Sequence, residues 1–168
     1  RGSQEGLNVI VLNPSVIIGS FDGKRESERI FKKDFINQFA PTGGTGFIDV
    51  RDVVDIIIKV YEEKLYNQKF ILNAENRTYL DVLKYIGTKN DTEITPISNL
   101  AVKAAQIITT TAKWFGIPSI DQGTYNALTT FTKYDNSKII SALNFKFTPI
   151  NEAIDFHFKN FQEINSSK

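Results

Sequence analysis

The sequence predicts an α/β fold in which two parallel strands are joined by a helical crossover and followed by a mainly helical region. Three observations carry this. Leu7 to Leu12 and Lys69 to Asn73 are short apolar runs rich in β-branched or aromatic residues; the residues between them place apolar side chains at helical spacing; and beyond Thr95-Pro96 strand signals become sparse.

Leu7-Asn8-Val9-Ile10-Val11-Leu12 is nearly continuous in its apolar character, the pattern of a strand buried on both faces in a parallel sheet. Asn13-Pro14 ends it, because proline cannot donate to a ladder, and Val16 to Gly19 is expected to continue as an apolar loop toward a turn at Asp22-Gly23. Ile30, Phe31, Phe35, Ile36 and Phe39 give a helix over about 25–39. Pro41-Thr42-Gly43-Gly44-Thr45-Gly46 is expected to form a flexible turn, followed by a short extended piece, Phe47 to Val50. A second helix runs from an Asp52 cap through Ile56 and Val60 to Tyr66, with the run Ile56-Ile57-Ile58 expected to be deeply buried. Lys69 to Asn73 is the second strand, and the crossover between the two is expected to be right-handed. Thr78 caps the next helix, which Gly87 is expected to close. Further helices are expected over about 98–115, 121–128 and 136–143, and a last one opens at Pro149. No internal repeat or linker divides the chain, so it reads as one unit, 1–168, with the strands and their crossover in 1–75 and the helical region in 76–168.

Composition narrows the chemistry. The 168 residues are 41% apolar and 23% charged with a net charge of +1, which fits one globular unit and gives no electrostatic footprint for nucleic acid or a charged membrane face. No apolar run approaches the roughly 20 residues that span a bilayer. With no Cys and one His, neither a disulfide framework nor a thiolate or zinc site is expected, and a cytoplasmic setting is the default. There is no Met, and a core-like run follows a short polar start, so the chain is expected to be a piece of a longer one.

Four segments, in this order, resemble the extended short-chain dehydrogenase/reductase family, also called the NAD-dependent epimerase/dehydratase family, and especially its dihydroflavonol-reductase-like branch. They are Gly6 through Asn13-Pro14-Ser15-Val16-Ile17-Ile18-Gly19; Gly46-Phe47-Ile48-Asp49-Val50-Arg51-Asp52-Val53; Phe70-Ile71-Leu72-Asn73-Ala74-Glu75-Asn76-Arg77-Thr78-Tyr79; and Asp135-Asn136-Ser137-Lys138 with Leu143-Asn144-Phe145-Lys146-Phe147-Thr148-Pro149-Ile150. The resemblance implies the carboxyl-terminal part of a Rossmann-like sheet, its sixth and seventh strands, followed by a substrate-binding region. It also implies NADP or NAD as cofactor of the parent enzyme. In that family the glycine fingerprint and the Tyr-x-x-x-Lys catalytic pair lie upstream of the first segment, so no catalytic residue is expected here and the chain alone is expected to be inactive.

The resemblance places Pro14, Ser15 and Val16 against the nicotinamide, largely through backbone groups, and Ile17, Phe21 and Arg51 on the substrate side. Asp52 is read as a helix cap, with Arg51 pairing with it or with an acidic neighbour. Two chance matches to Tyr-x-x-x-Lys, Tyr85 to Lys89 and Tyr134 to Lys138, are rejected, the first because Gly87 is expected to end its helix and because it follows the second strand. Gly43 to Gly46 lacks the strand-turn-helix context of a phosphate loop. His157, amid Phe156 and Phe158, and the pair Trp114 and Phe115 read as core.

The activity implied is hydride transfer between a nicotinamide and a small carbonyl or alcohol. Sugar-nucleotide epimerase or dehydratase chemistry, or a non-catalytic binding or regulatory role on the same fold, stands as the alternative. Two strands separated from a larger sheet expose an apolar edge, so self-association or association with a missing amino-terminal half is expected.

Overall fold

A computed structural model describes residues 6–22, 26–32, 39–112 and 120–166, with the side chains of 26, 27, 29 and 110–112 left aside. The strands are β1 (Ile10–Pro14), β2 (Val16–Ile18), β3 (Phe39–Pro41), β4 (Gly44–Asp49), β5 (Gln68–Leu72), β6 (Glu75–Thr78) and β7 (Thr95–Ile97). The helices are α1 (Val50–Glu62), α2 (Tyr79–Lys89), α3 (Asn99–Ala112), α4 (Gln122–Thr129), α5 (Ser137–Leu143) and α6 (Ile150–Ser166), with a 3-10 turn at Glu26–Phe31. The fold class is the α/β arrangement expected. β1 pairs in parallel with β5, from Ile10 opposite Gln68 to Pro14 opposite Leu72, and α1 lies in the crossover between them. A three-stranded sheet has the order β2-β4-β6, and β3 pairs in parallel with β7.

The chain divides into two compact units, each assembled from separated segments. The first comprises Arg1–Glu28, Gly46–Asn76 and Tyr134–Lys168. Its core gathers Ile48 from β4, Ile56 and Val60 from α1, Phe70 and Leu72 from β5, Ile139 from α5, and Phe145. Of the Ile56-Ile57-Ile58 run only Ile56 is buried, at 0% exposure, while Ile57 and Ile58 are each 49% exposed. The expectation of deep burial for all three fails because a helix turns 100° per residue and consecutive side chains cannot share a face. α1 also starts three residues earlier than expected: Asp49, not Asp52, is the cap, its carboxylate accepting from the Arg51 N–H.

Two further expectations are corrected in this unit. Val16 to Ile18 is a strand, not a loop, because β2 finds a parallel partner in Phe47 to Asp49. Ile10 to Leu12 are half-buried instead of fully enclosed, since β1 pairs with β5 alone among the described residues.

The second unit comprises Arg29–Thr45 and Arg77–Lys133. The Thr78 hydroxyl caps α2 by accepting from the Asp81 N–H at 3.0 Å, as expected. Gly87 does not close that helix; α2 continues to Lys89, and Gly87 is buried in it, where a Cβ would lie 2.5 Å from the Thr92 carbonyl oxygen. Gly87 therefore marks a close approach of backbone, not a terminus. Gly43 and Gly44 donate to the carbonyls of Leu128 and Thr130 at 2.9 and 3.0 Å. Gly44 to Gly46 thus belongs to β4, all of whose residues are buried, and not to a flexible turn. β7 lies where strand signals become sparse, and its Pro96 is tolerated in a three-residue ladder with β3. Among the described residues of the expected helix over 25–39, Glu26–Phe31 form the 3-10 turn and Phe39 opens β3; 25 and 33–38 lie outside the described residues, as do Gly23 and 113–119 with Trp114 and Phe115.

Candidate functional site

The carboxyl ends of parallel strands leave backbone groups without ladder partners, which is why ligands of α/β folds gather there. In the first unit β1 ends at Pro14, and the Ser15 N–H continues the ladder by donating to the Leu72 carbonyl at 2.9 Å. Pro14 and Val16 are exposed on either side of it, and Ile17 and Phe21 follow with exposed side chains, Phe21 at 67%. Ser15 itself is half-buried, and its Oγ has no hydrogen-bond partner. Neither has the buried Oδ1 of Asn73, one residue beyond β5. Both residues crowd Gly46: a Cβ there would sit 2.1 Å from Asn73 Oδ1 and 2.9 Å from Ser15 Cβ, so the oxygen lies along the Gly46 Cα–H direction, a contact weaker than a conventional hydrogen bond.

Asn73 is anchored by its other groups. Its carbonyl accepts from Asn136 Nδ2 at 2.6 Å, and the Asn76 side chain takes both backbone groups of Tyr134, accepting from its N–H and donating to its C=O, each at 2.9 Å.

A second polar cluster closes the carboxyl end of β4. Asp49, fully buried, accepts from the Arg51 backbone N–H at 2.8 Å, from Arg51 Nε at 3.0 and 3.1 Å, and from Arg51 Nη2 at 2.5 Å. The guanidinium carbon lies 3.8 Å from the Phe156 ring centroid, so the cation is both paired and stacked. On the opposite side, His157 Nε2 stands 3.2 Å from Asp49 Oδ1. Its Nδ1 stands 3.1 Å from the Ser20 N–H nitrogen and 3.0 Å from Ser20 Oγ. Burial by itself raises the Asp49 carboxyl, but the hydrogen bonds from His157 and Arg51 outweigh it and hold the group well below the ordinary carboxylate range. Asp52 goes the other way: burial raises it, and the Thr148 N–H and hydroxyl, donating at 2.8 and 2.9 Å, only partly oppose this. Arg51 thus pairs with Asp49, two residues before it, and its own pKa is raised by that bond.

The sequence places His157 in plain core. It is buried, but both ring nitrogens are engaged, by groups 108 and 137 residues away in sequence. The one signal available beforehand was its place on the buried stripe Ile150, Ala153, Ile154, Phe158 and Phe161, where a polar ring must find partners.

The two Tyr-x-x-x-Lys matches are now placed. Because α2 runs past Gly87, Tyr85 and Lys89 do share a face, Lys89 Nζ lying 5.0 Å from the Tyr85 ring centroid; one ground for rejecting the pair is overturned, and its place after β5 remains. Lys138 Nζ donates to the Lys69 carbonyl at 2.9 Å and is engaged away from Tyr134. Among the described residues no three His, Asp or Glu side chains gather as a metal site, and no helix is long and apolar enough to cross a membrane.

No family model matches the chain, and no curated protein sequence matches it. Solved structures do. A nucleoside-diphosphate-sugar epimerase from Pseudomonas aeruginosa superposes with a TM-score of 0.73 at 15% identity, over 97% of this chain and 50% of that one. UDP-glucuronic acid 4-epimerase from Bacillus cereus, in complex with UDP-glucuronic acid and NAD, gives 0.63 at 10% identity over 97% and 48%. Yeast methylglyoxal/isovaleraldehyde reductase Gre2, complexed with NADPH, gives 0.55 at 20% identity over 95% and 48%. The chain therefore has the fold of these proteins and spans about half the length of each.

Proposed function

We propose that this chain is the carboxyl-terminal half of an NAD(P)-dependent oxidoreductase that transfers hydride between the nicotinamide and a small carbonyl or alcohol, and that the chain alone is inactive. The observation that carries this reading is the parallel β1–β5 pair ending at Pro14-Ser15-Val16, in a fold shared with nicotinamide-dependent reductases and epimerases. When bound, the nicotinamide supplies or takes up the hydride. This chain's part is to hold and orient it: the Pro14 and Val16 backbone offers groups at the strand ends, and the Ser15 hydroxyl is a donor still lacking an acceptor. Ile17 and Phe21 present exposed apolar surface to the substrate, with Arg51 as a third substrate-side residue. The dihydroflavonol-reductase-like assignment rests on the sequence segments that resemble that branch.

A complementary half is part of the proposal. Val54, Ile57, Ile58 and Tyr61 form an exposed apolar stripe along α1, at the helical spacing of a docking face, and the matched structures are twice as long as this chain. The isolated chain is expected to self-associate through the face that the missing half would cover, and a strictly monomeric, well-folded chain in light scattering counts against this.

The activity test is NADPH and NADH oxidation with a panel of small aldehydes and ketones, by the longer protein containing this chain and by the chain alone. Turnover by the former only is expected; absence of cofactor binding by the longer protein overturns the reading. The epimerase structures favour one second reading, sugar-nucleotide epimerisation, distinguished by turnover of a nucleotide sugar without net NAD(P)H consumption.

A further inference from the structure

We infer that His157 is a positioning residue: as the neutral Nε2–H tautomer it ties the loop after β2 to the carboxyl end of β4, accepting from the Ser20 N–H and donating to Asp49. Position 157 falls on the buried face of α6 between Ile154 and Phe158, where an aliphatic side chain would pack without polar obligations. The imidazole there is 2% exposed, so both nitrogens need partners from the protein, and both have them.

The tautomer follows from the donors. A backbone N–H can only donate, so at 3.1 Å the Ser20 N–H requires Nδ1 to carry its lone pair. The ring proton is then on Nε2, facing the Asp49 carboxylate, which can only accept. The same geometry excludes the reading that Ser20, His157 and Asp49 suggest by their types, an activated serine nucleophile. Were Nδ1 to take the Ser20 hydroxyl proton, its new N–H would face the Ser20 backbone N–H, donor against donor. The trio is a tie, not a charge relay.

What it ties is the loop that follows β2, from Gly19 to Phe21. Gly19 packs on Val50, Ser20 meets His157, and the Phe21 N–H donates to Glu28. Phe21 directly follows Ser20, so this ring fixes the backbone that presents it, while Ile17 is held by the β2–β4 ladder. That those side chains meet substrate rests on the function proposed above; that His157 holds the loop does not, so a lost tie and a lost activity are separate results.

Because His157 is the only histidine, its ring nitrogens give the only imidazole signals in a 15N NMR spectrum of the 168-residue chain. A neutral Nε2–H pattern is expected, and an Nδ1–H tautomer overturns the inference. Two substitutions then split the arms. His157→Asn places an acceptor near the former Nδ1, and His157→Gln a donor near the former Nε2. Hydrogen exchange at the Ser20 amide should stay within about twofold of the parent in H157N and rise at least about fivefold in H157Q, while β1–β5 amides hold in both. Equal exchange at Ser20 in the two variants overturns the inference. Ser20→Ala keeps the backbone donor, so the Nε2–H pattern must survive it; a change of tautomer would show that the hydroxyl, not the amide, selects it. Should the variants fail to fold, the tautomer of the parent chain decides.

Discussion

Two strand ends in the same unit are built on opposite principles. At the end of β4, every carboxylate oxygen of Asp49 and both nitrogens of His157 are engaged, and the stacked Arg51 completes the set. At the ends of β1 and β5, Ser15 Oγ and Asn73 Oδ1 are buried without a partner. A buried polar atom left unsatisfied costs about 1–3 kcal/mol, so the difference is energetic as well as geometric. The saturated cluster holds chain segments together; the unsaturated one keeps hydrogen-bonding capacity in reserve beside the exposed Pro14 and Val16.

The largest expected effect tests the saturated end. Asp49→Ala removes the cap of α1, the His157 acceptor and the Arg51 partner at once, and should lower stability by about 3 kcal/mol in urea unfolding, with Asp49→Asn costing clearly less because an amide oxygen still caps. Equal costs would mean that the charge, not the cap, dominates. At the other end, Gly46→Ala drives a methyl into Asn73 Oδ1 and should cost about 2 kcal/mol, much of it recovered when Asn73→Ala is added; simple additivity in that cycle would refute the crowding.

Acid titration sharpens the contrast further. Asp49 sits below its ordinary value of 3.8, so its contribution is present above about pH 4 and is lost as pH falls beneath that. Asp52 is raised, so its contribution is greatest below about pH 4 and is lost as pH climbs through its folded value. Unfolding midpoints between pH 2 and 7 should therefore decline less steeply toward acid in Asp49→Asn than in the parent, and rise relative to the parent toward neutrality in Asp52→Asn. The smallest effect belongs to Ser15→Ala, which removes a buried hydroxyl without a partner, relieves that cost and should raise stability by about 1 kcal/mol. A large loss would reveal an acceptor for Ser15 and erase the difference between the two ends.

Much of the fold is legible in the sequence. The β-branched run before Pro14 and the run ending at Leu72 are strands, and they pair in parallel because the residues between them form a crossover. The Thr78 cap follows from local chemistry, as does the Pro149 start of α6. Local patterns misled where a residue has two uses. Asp49 and Asp52 both suit a cap, and only the path of the chain after Asp49 selects the first. Gly44, Gly46 and Gly87 suit turns and termini, yet they lie inside β4 and α2 because another backbone or side chain passes too close for a Cβ.

What the sequence determined by itself is β1, β5, the helices α1 to α6 and the crossover between the two strands, since strand period, helix period and caps are properties of neighbours along the chain; the short strands β2, β3, β6 and β7 exist through their partners. What only the tertiary structure decided is which distant segments share a unit, and with them the site. His157 acquires Ser20 and Asp49, and Asn76 acquires Tyr134, across 58 to 137 residues. A hydrogen bond depends on where two atoms meet in space, and no local pattern records a partner that far along the chain.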